Sequence, residues 1–327
     1  MRTLSRFGVA VAALALFARP AAAQLRAEKM VVMVGPQTPA ARVAPADAVV
    51  IGKVTEVETD LVEVTAYPGA PKDQKVSYKV AVLKIEVPLL GASGLTRFRV
   101  GFPADAPPPA DPATGGPAAP PAPPRVGGPG GLGRVRRPGN IAVALAAGME
   151  GCFCLIRHHE GDFYVLTGGP PLLKKSDNYA KELEQVKKVA KAIDDPVTAL
   201  KAKDLGDRFR AAQALLTRYQ TPRGQKPGQP PAREPIPDEE NKLLVALLKE
   251  LPWMPKDPVV GPGEQPPSRS ALWYQINPAE SGFKQPAAPV QRPGDPPVDF
   301  NKIMDEATAK FLKENGDKIK IKRYTAK

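Results

Sequence analysis

The only cysteines and histidines of this chain, Cys152, Cys154, His158 and His159, fall in one short segment that ends on Glu160. Thiolate and imidazole are the ligands of soft and borderline metals, so a Cys/His metal site is the first chemistry to weigh. The spacing argues against it. Helical ligand pairs lie about one turn apart, and adjacent strand residues such as His158 and His159 point to opposite faces. The arrangement matches no standard zinc pattern. The two histidines therefore read as a partly exposed pair at a hairpin end, and any histidine-dependent triad would have to draw its base from them. Cys152 and Cys154 flank Phe153. Strand residues at i and i+2 share a face with Cα atoms about 7 Å apart, so a disulfide between them would be strained. They read as small buried hydrophobes, with a reactive or metal-binding pair as the alternative.

Other motifs dissolve on inspection of their context. Gly128-Pro129-Gly130-Gly131-Leu132-Gly133 fits G-x-G-x-x-G but has neither the strand before it nor the helix after it that a nucleotide site needs. Ser281-Gly282-Phe283-Lys284 and Ser176-Asp177-Asn178 share elements with penicillin-recognising serine enzymes, yet their order is reversed and Lys-Thr-Gly is missing. The second motif reads better as a helix cap. The acidic pairs Asp194-Asp195 and Glu239-Glu240 read as helix starts, where the macrodipole favours negative charge. No catalytic, cofactor-binding or metal-binding residue is assigned, no cofactor is expected, and the chain reads as a non-enzyme.

The first residues carry an address. Arg2 and Arg6 precede the apolar run Phe7 to Ala18, and Ala21-Ala22-Ala23 offers small residues before Gln24. This is the pattern of a signal peptide cleaved after Ala23, which implies a periplasmic or secreted protein. No cysteine follows the apolar run, so no lipid anchor is expected. Arg2, Arg6 and Arg19 would leave with the signal, taking the formal charge from +12 to +9. A basic surface attracts polyanions such as acidic polysaccharide, nucleic acid or anionic headgroups. Arg134-Val135-Arg136-Arg137 is the densest basic cluster, but no aromatic residue interleaves with it. A stacking platform for nucleic acid is thereby weakened, and no specific nucleic-acid motif is present. A solvated lysine-rich surface is the simpler reading. No later segment has the length of apolar sequence that spans a bilayer.

The elements that would position these residues divide in two. After a leader at 24–45, residues 46–168 carry strand patterns: Ala48 to Val57, Leu61 to Tyr67, Val76 to Val87, Phe98 to Phe102, Ile141 to Leu145, Cys152 to Ile156 and Phe163 to Leu166. Pro68-Gly69-Ala70-Pro71 and Glu160-Gly161-Asp162 supply turns. Forty prolines are more than twice the usual share, and a Pro/Gly/Ala tract at 103–139 reads as a disordered insertion. The strands beyond it are too few to stand alone, so one β domain carrying the insertion is expected. From residue 169 the period changes to that of helices. Tyr179, Leu183, Val186, Val189 and Ile193 share a face. Asp195-Pro196 starts a short helix, and Asp207 leads into Phe209, Ala212, Leu215 and Tyr219. A Pro-rich loop at 221–237 precedes a helix at Asp238 to Leu251. After a loop-rich stretch at 252–298, with a short helix near Ser270 to Gln275, Asp299 caps a last helix ending at Asn315-Gly316. Lys318 to Lys322 alternates like a terminal edge strand.

The runs Ala46 to Val54, Tyr78 to Ile85 and Gly148 to Leu155 together resemble the OB-like barrel of netrin-type and tissue-metalloprotease-inhibitor domains. The inhibitors' metal-chelating N-terminal Cys-x-Cys is absent at Gln24, so the resemblance implies the fold and not inhibition. The whole chain is also similar to an uncharacterised family of exported proteins of planctomycete-type bacteria. There an aromatic pair stands at the position of Phe153-Cys154, which implies a core role for Cys154. Asp195-Pro196 through Leu216, with Leu200, Asp204, Arg208, Ala211-Ala212 and Leu215, resembles one HEAT-type repeat, which must bury its faces on neighbours.

The expected architecture is α+β: a signal peptide (1–23), a leader (24–45), an OB-like β barrel with a disordered Pro/Gly-rich insertion (46–168) and a mainly helical domain with HEAT-like helices and Pro-rich loops (169–327). The expected function is non-catalytic binding or scaffolding with a protein partner in the cell envelope. Polyanion binding comes second and a Cys/His metal-dependent enzyme third.

Overall fold

The computed structural model describes residues 39–65, 67–106, 143–222, 232–255, 266–287 and 298–325. The expected signal peptide, most of the leader, most of the 103–139 insertion with its glycine motif, and the Arg134–Arg137 cluster lie outside the described residues. The described residues contain both strands and helices, so the fold is α+β.

A short helix, α1 (Pro39–Val43), leads into the β region: β1 (Ala48–Val57), β2 (Val62–Thr65), β3 (Lys75–Leu90), β4 (Arg97–Pro103), β5 (Glu150–Arg157), β6 (Tyr164–Leu166) and β7 (Leu172–Leu173). β-Branched residues and period-two alternation favour a pleated, half-buried surface here. The strands pair in the order β1-β3-β4-β6-β5, and β5 pairs back on β1, which closes a five-stranded barrel. All of these pairings are antiparallel except β4 with β6, which is parallel. β2 extends β3 as a hairpin, and β7 adds a short rung to β5.

Alternation gives β1 and β5 two faces with different partners. Val50, Val54, Ala81, Leu83, Phe98, Val100, Phe153 and Leu155 fill the barrel interior. Val49, Leu90, Cys152, Cys154 and Leu172 face the other way, into a cluster they share with the helices. Closure depends on glycine at one crossing. Gly52 of β1 lies opposite Gly151 of β5, and a Cβ on Gly52 would sit 2.3 Å from the carbonyl oxygen of Lys84. A Cβ on Gly151 would sit 2.2 Å from that of Leu172. β1 also shifts register against β3 at three places, one of them between Ile51 and Gly52. Bulges of this kind bend and twist a strand, which is what rolling a sheet shut requires.

Residues 143–146 form no strand, contrary to the pattern at Ile141 to Leu145. The chain turns at Gly148, whose φ of 84° suits glycine. Two hydrogen bonds then tie that turn to β1: Gly148 N donates to Val54 O, and Val54 N donates to Met149 O.

The helical part comprises α2 (Tyr179–Asp194), α3 (Pro196–Leu200), α4 (Leu205–Tyr219), β8 (Arg233–Pro235), α5 (Asp238–Glu250), α6 (Arg269–Trp273), α7 (Phe300–Asn315) and β9 (Lys322–Tyr324). Asp195 and Asp299 cap α3 and α7 as expected, each accepting a backbone N–H one turn on. The cap of α4 is Asp204 rather than Asp207: Asp204 Oδ1 accepts from Asp207 N at 2.8 Å, and Asp207 instead pairs with Arg210 at 2.7 Å. The strand β8 lies inside the Pro-rich loop and pairs with β9. The final strand begins only at Lys322, the last of the alternating lysines; Ile319 and Ile321 alternate into the core without ladder pairing.

Two buried polar side chains replace the backbone partners that those core residues and α5 would otherwise lack. Asn241 donates to Ile319 O at 2.8 Å and accepts from Ile321 N at 2.9 Å, as a strand neighbour would. Arg269, only 5% exposed, donates through Nε to Leu248 O and through Nη2 to Leu251 O, each at 2.8 Å. The last carbonyls of a helix have no intrahelical donor. The guanidinium supplies one at the end of α5, while its Nη1 reaches Asp305 Oδ1 and Thr308 Oγ1 at 3.0 Å. Among the described residues no helix is long and apolar enough to cross a membrane.

Candidate functional site

Both residue pairs singled out from the sequence sit on β5 or just past its end, but they occupy separate places. His158 and His159 follow the last β5 residue, so the opposite-face rule for strands no longer governs them. Their rings meet at a tilt of 35° with centroids 4.2 Å apart. His158 is buried rather than partly exposed, against the sequence expectation for the pair, whereas His159 is exposed. Tyr78 and Phe163 enclose the His158 ring at centroid distances of 5.4 and 4.8 Å. Its Nδ1 accepts backbone N–H bonds from Gly161 at 3.0 Å and Glu160 at 3.3 Å. That pattern fixes a neutral ring with its proton on Nε2.

The neighbouring groups form a fastening between β2 and the β5–β6 turn. Thr65 donates both its backbone N–H (2.7 Å) and its hydroxyl (2.6 Å) to Glu160 Oε2. His159 Nε2 lies 3.0 Å from the same hydroxyl and, since that hydroxyl gives its proton to Glu160, is the donor. The two bonds from Thr65 hold the Glu160 carboxyl below the usual carboxylate range. In a nucleophilic triad the hydroxyl instead gives its proton to an imidazole base. Here the direction is reversed, and the carboxylate also occupies an N–H on an edge strand that would otherwise be open to pairing.

Burial pushes His158 down to about 4, helped by the neighbouring His159 and opposed by Glu160. An unfolded histidine titrates near 6.5, so between these values the unfolded chain binds the extra proton. The His158 contribution to stability is thus complete above pH 6.5 and is lost as pH falls towards 4. Discounted for the solvent at the barrel rim, it is about 2 kcal/mol. Chemical denaturation of wild type and His158→Phe at pH 7 and pH 4 should show the larger pH dependence in wild type. Equal slopes would refute the assignment.

Cys152 and Cys154 face away from the barrel interior and are free and buried. They lie at i and i+2 of β5, on the same face of the strand. The neighbouring thiol and burial raise Cys152, while the neighbouring thiol and the Arg42 charge lower Cys154 against its burial. A narrow cleft, with room for little more than one water, is lined by both cysteines together with Arg42, Thr167, Pro170 and Val186. Arg42 Nη1 donates to Pro170 O, and Thr167 Oγ1 donates to Arg42 O at 3.0 Å. The Arg42 Nε is buried without a hydrogen-bond partner.

No protein-family model, curated protein or solved structure matches the chain. Its chemistry therefore has to be read from its own residues.

Arg42, Thr65 and Tyr78 were not visible as site residues in the sequence. Thr65 of β2 and Tyr78 of β3 are ordinary strand residues whose role comes from this hairpin meeting the β5–β6 turn. Arg42 is a lone charge between small apolar residues in the leader, a weak signal that it is held under other structure. Glu240, read as a helix-start charge, is buried and accepts a hydrogen bond from Tyr219. Asp194 ends α2 and only Asp195 begins a helix.

Proposed function

We propose that this chain is an exported, non-catalytic binding or scaffolding protein with a protein partner in the cell envelope. The observation that carries this reading is the use made of the only two histidines. One is a neutral ring held by two backbone N–H groups, and the other donates into a hydroxyl already committed to Glu160. Neither is poised as a base against a nucleophile. The OB-like reading of the barrel is supported by its five-strand order and its single parallel pair, since OB domains are small Greek-key barrels used for binding. The HEAT-like reading is supported by the α3–α4 hairpin, with its Asp195 and Asp204 caps and Arg208 ion-paired to Glu250 of α5. Export rests on the residues at 1–23, and an N-terminus at Gln24 on protein recovered from its native envelope would support it.

Polyanion binding fares worse as a reading. On the described surface many basic residues alternate with acids in ion pairs, such as Lys53–Glu150, Arg99–Glu58, Lys201–Glu239 and Arg233–Glu280. Such a surface presents a mixed field rather than a basic one. The test is capture from envelope extracts with tagged full-length protein and a tag-only control. A specific, saturable partner is the expected result. Turnover of any substrate that is lost in His158→Ala or His159→Ala would overturn the reading, as would heparin-like polymer binding at low salt with no protein captured.

A further inference from the structure

We propose that Cys152 and Cys154 form a two-coordinate site for a soft, singly charged d10 metal cation of the copper(I) or silver(I) class, entered through the cleft beneath Arg42. The argument begins with donor type and number. The two thiols share one face of β5 and both line one narrow cleft. Soft thiolate donors select copper(I) over hard cations. Among the described residues no group of three or more histidine, cysteine or acidic side chains could hold a metal ion. Zinc and iron–sulfur centres need about four such ligands, whereas a d10 monovalent cation is satisfied by two sulfurs in line.

Charge points the same way. On binding, both thiol protons leave to solvent, and two thiolates with a single positive charge leave one net negative charge. An uncompensated buried charge is costly. The Arg42 guanidinium stands over the pair to offset it, and its Nε carries an N–H with no present acceptor. A divalent ion on the same two thiolates would leave the Arg42 charge unbalanced. Rigidity favours the reduced pair. Phe153, between the cysteines, is fully buried in the barrel interior and pins the strand. β5 is paired on both sides, to β1 and to β7, at Cys152 itself. Closing a disulfide across i and i+2 of such a strand is strained, so the thiols remain available to a metal. The proposal goes beyond the binding role above and is independent of it.

The test uses reduced, full-length protein under anaerobic conditions, titrated with copper(I) in competition with a chromophoric copper(I) chelator, and separately with silver(I). One equivalent should bind, with a thiolate-to-metal absorption in the ultraviolet and a first coordination shell of two sulfurs by X-ray absorption. Binding should vanish in Cys152→Ser and in Cys154→Ser. It should weaken by about tenfold in Arg42→Met, the size expected for loss of a group that supports the ligands. Because these are the only two cysteines, wild type gives a check that does not depend on variants folding: one equivalent of silver(I) should protect both thiols from alkylation in the native state. Failure to compete with the chelator, retention of the metal by either serine variant, a shell of three or more protein ligands, or unprotected thiols would each overturn the proposal.

Discussion

Arg269→Met should lower the free energy of unfolding by about 3–5 kcal/mol in a urea titration at pH 7, the cost typical of breaking a buried charged network from one side. The substitution keeps the length and apolar stem of the side chain, so packing alone predicts little change. What it removes is the donor set that satisfies Leu248 O and Leu251 O at the end of α5 and ties them to Asp305 and Thr308 of α7. Both carbonyls would be stranded away from water, each at about 1–3 kcal/mol. Arg269→Lys should recover less than half of the loss, because an ammonium cannot present the planar fork that reaches several acceptors at once. Asp305→Asn provides the contrast. Asp305 is half exposed, so its ion pair contributes under about 1 kcal/mol. If Arg269→Met proves as mild as Asp305→Asn, the guanidinium is a passenger at this junction.

Gly52→Ala should cost about 3 kcal/mol, at the upper end of the range for overpacking a well-filled position. The added methyl would meet the backbone carbonyl of Lys84 at 2.3 Å. A backbone atom inside a ladder cannot rotate aside. Gly101 is a useful comparison, since its added Cβ would meet the Phe163 ring at a similar distance. That ring is itself buried against Tyr78 and His158, so Gly101→Ala should cost a similar amount. Gly94→Ala meets nothing within 4 Å and should show only the strain of its positive φ, about 1 kcal/mol. Thermal or urea unfolding of the three variants orders them. Gly52→Ala milder than Gly94→Ala would contradict the close approach of β1 and β3.

The elements that read well from the sequence were those whose pattern is local. Tyr179, Leu183, Val186, Val189 and Ile193 announced α2 by spacing alone, and Asp195-Pro196 and Asp299 announced α3 and α7 by cap chemistry. β1, β3, β4 and β5 were visible through alternation. What failed depended on partners distant in sequence. β8 is three residues inside a Pro-rich loop and exists because β9 pairs with it. The stretch at Ile141 to Leu145 has strand-like residues but, in its described part, no strand to pair with. The site divides in the same way. Cys152 and Cys154 were identifiable as buried neighbours on one face, but Arg42 reaches them from over a hundred residues away. His158 was misjudged as partly exposed because its cover, Tyr78 and Phe163, comes from β3 and from the turn before β6.

The return of β5 onto β1 has a consequence for how the molecule is made. β1 can acquire β3 soon after both exist, since a modest length of chain separates them. Its other edge, with Val49 to Ile51, must wait for a partner roughly a hundred residues further along. Contacts of such long sequence separation are slow to form, because chain entropy is lost before they repay it. Until then β1 offers an apolar, unpaired edge of the kind that recruits other chains. The crossing of Gly52 and Gly151 belongs to that long-range pairing, so the close backbone approach it makes comes only as the edge is covered.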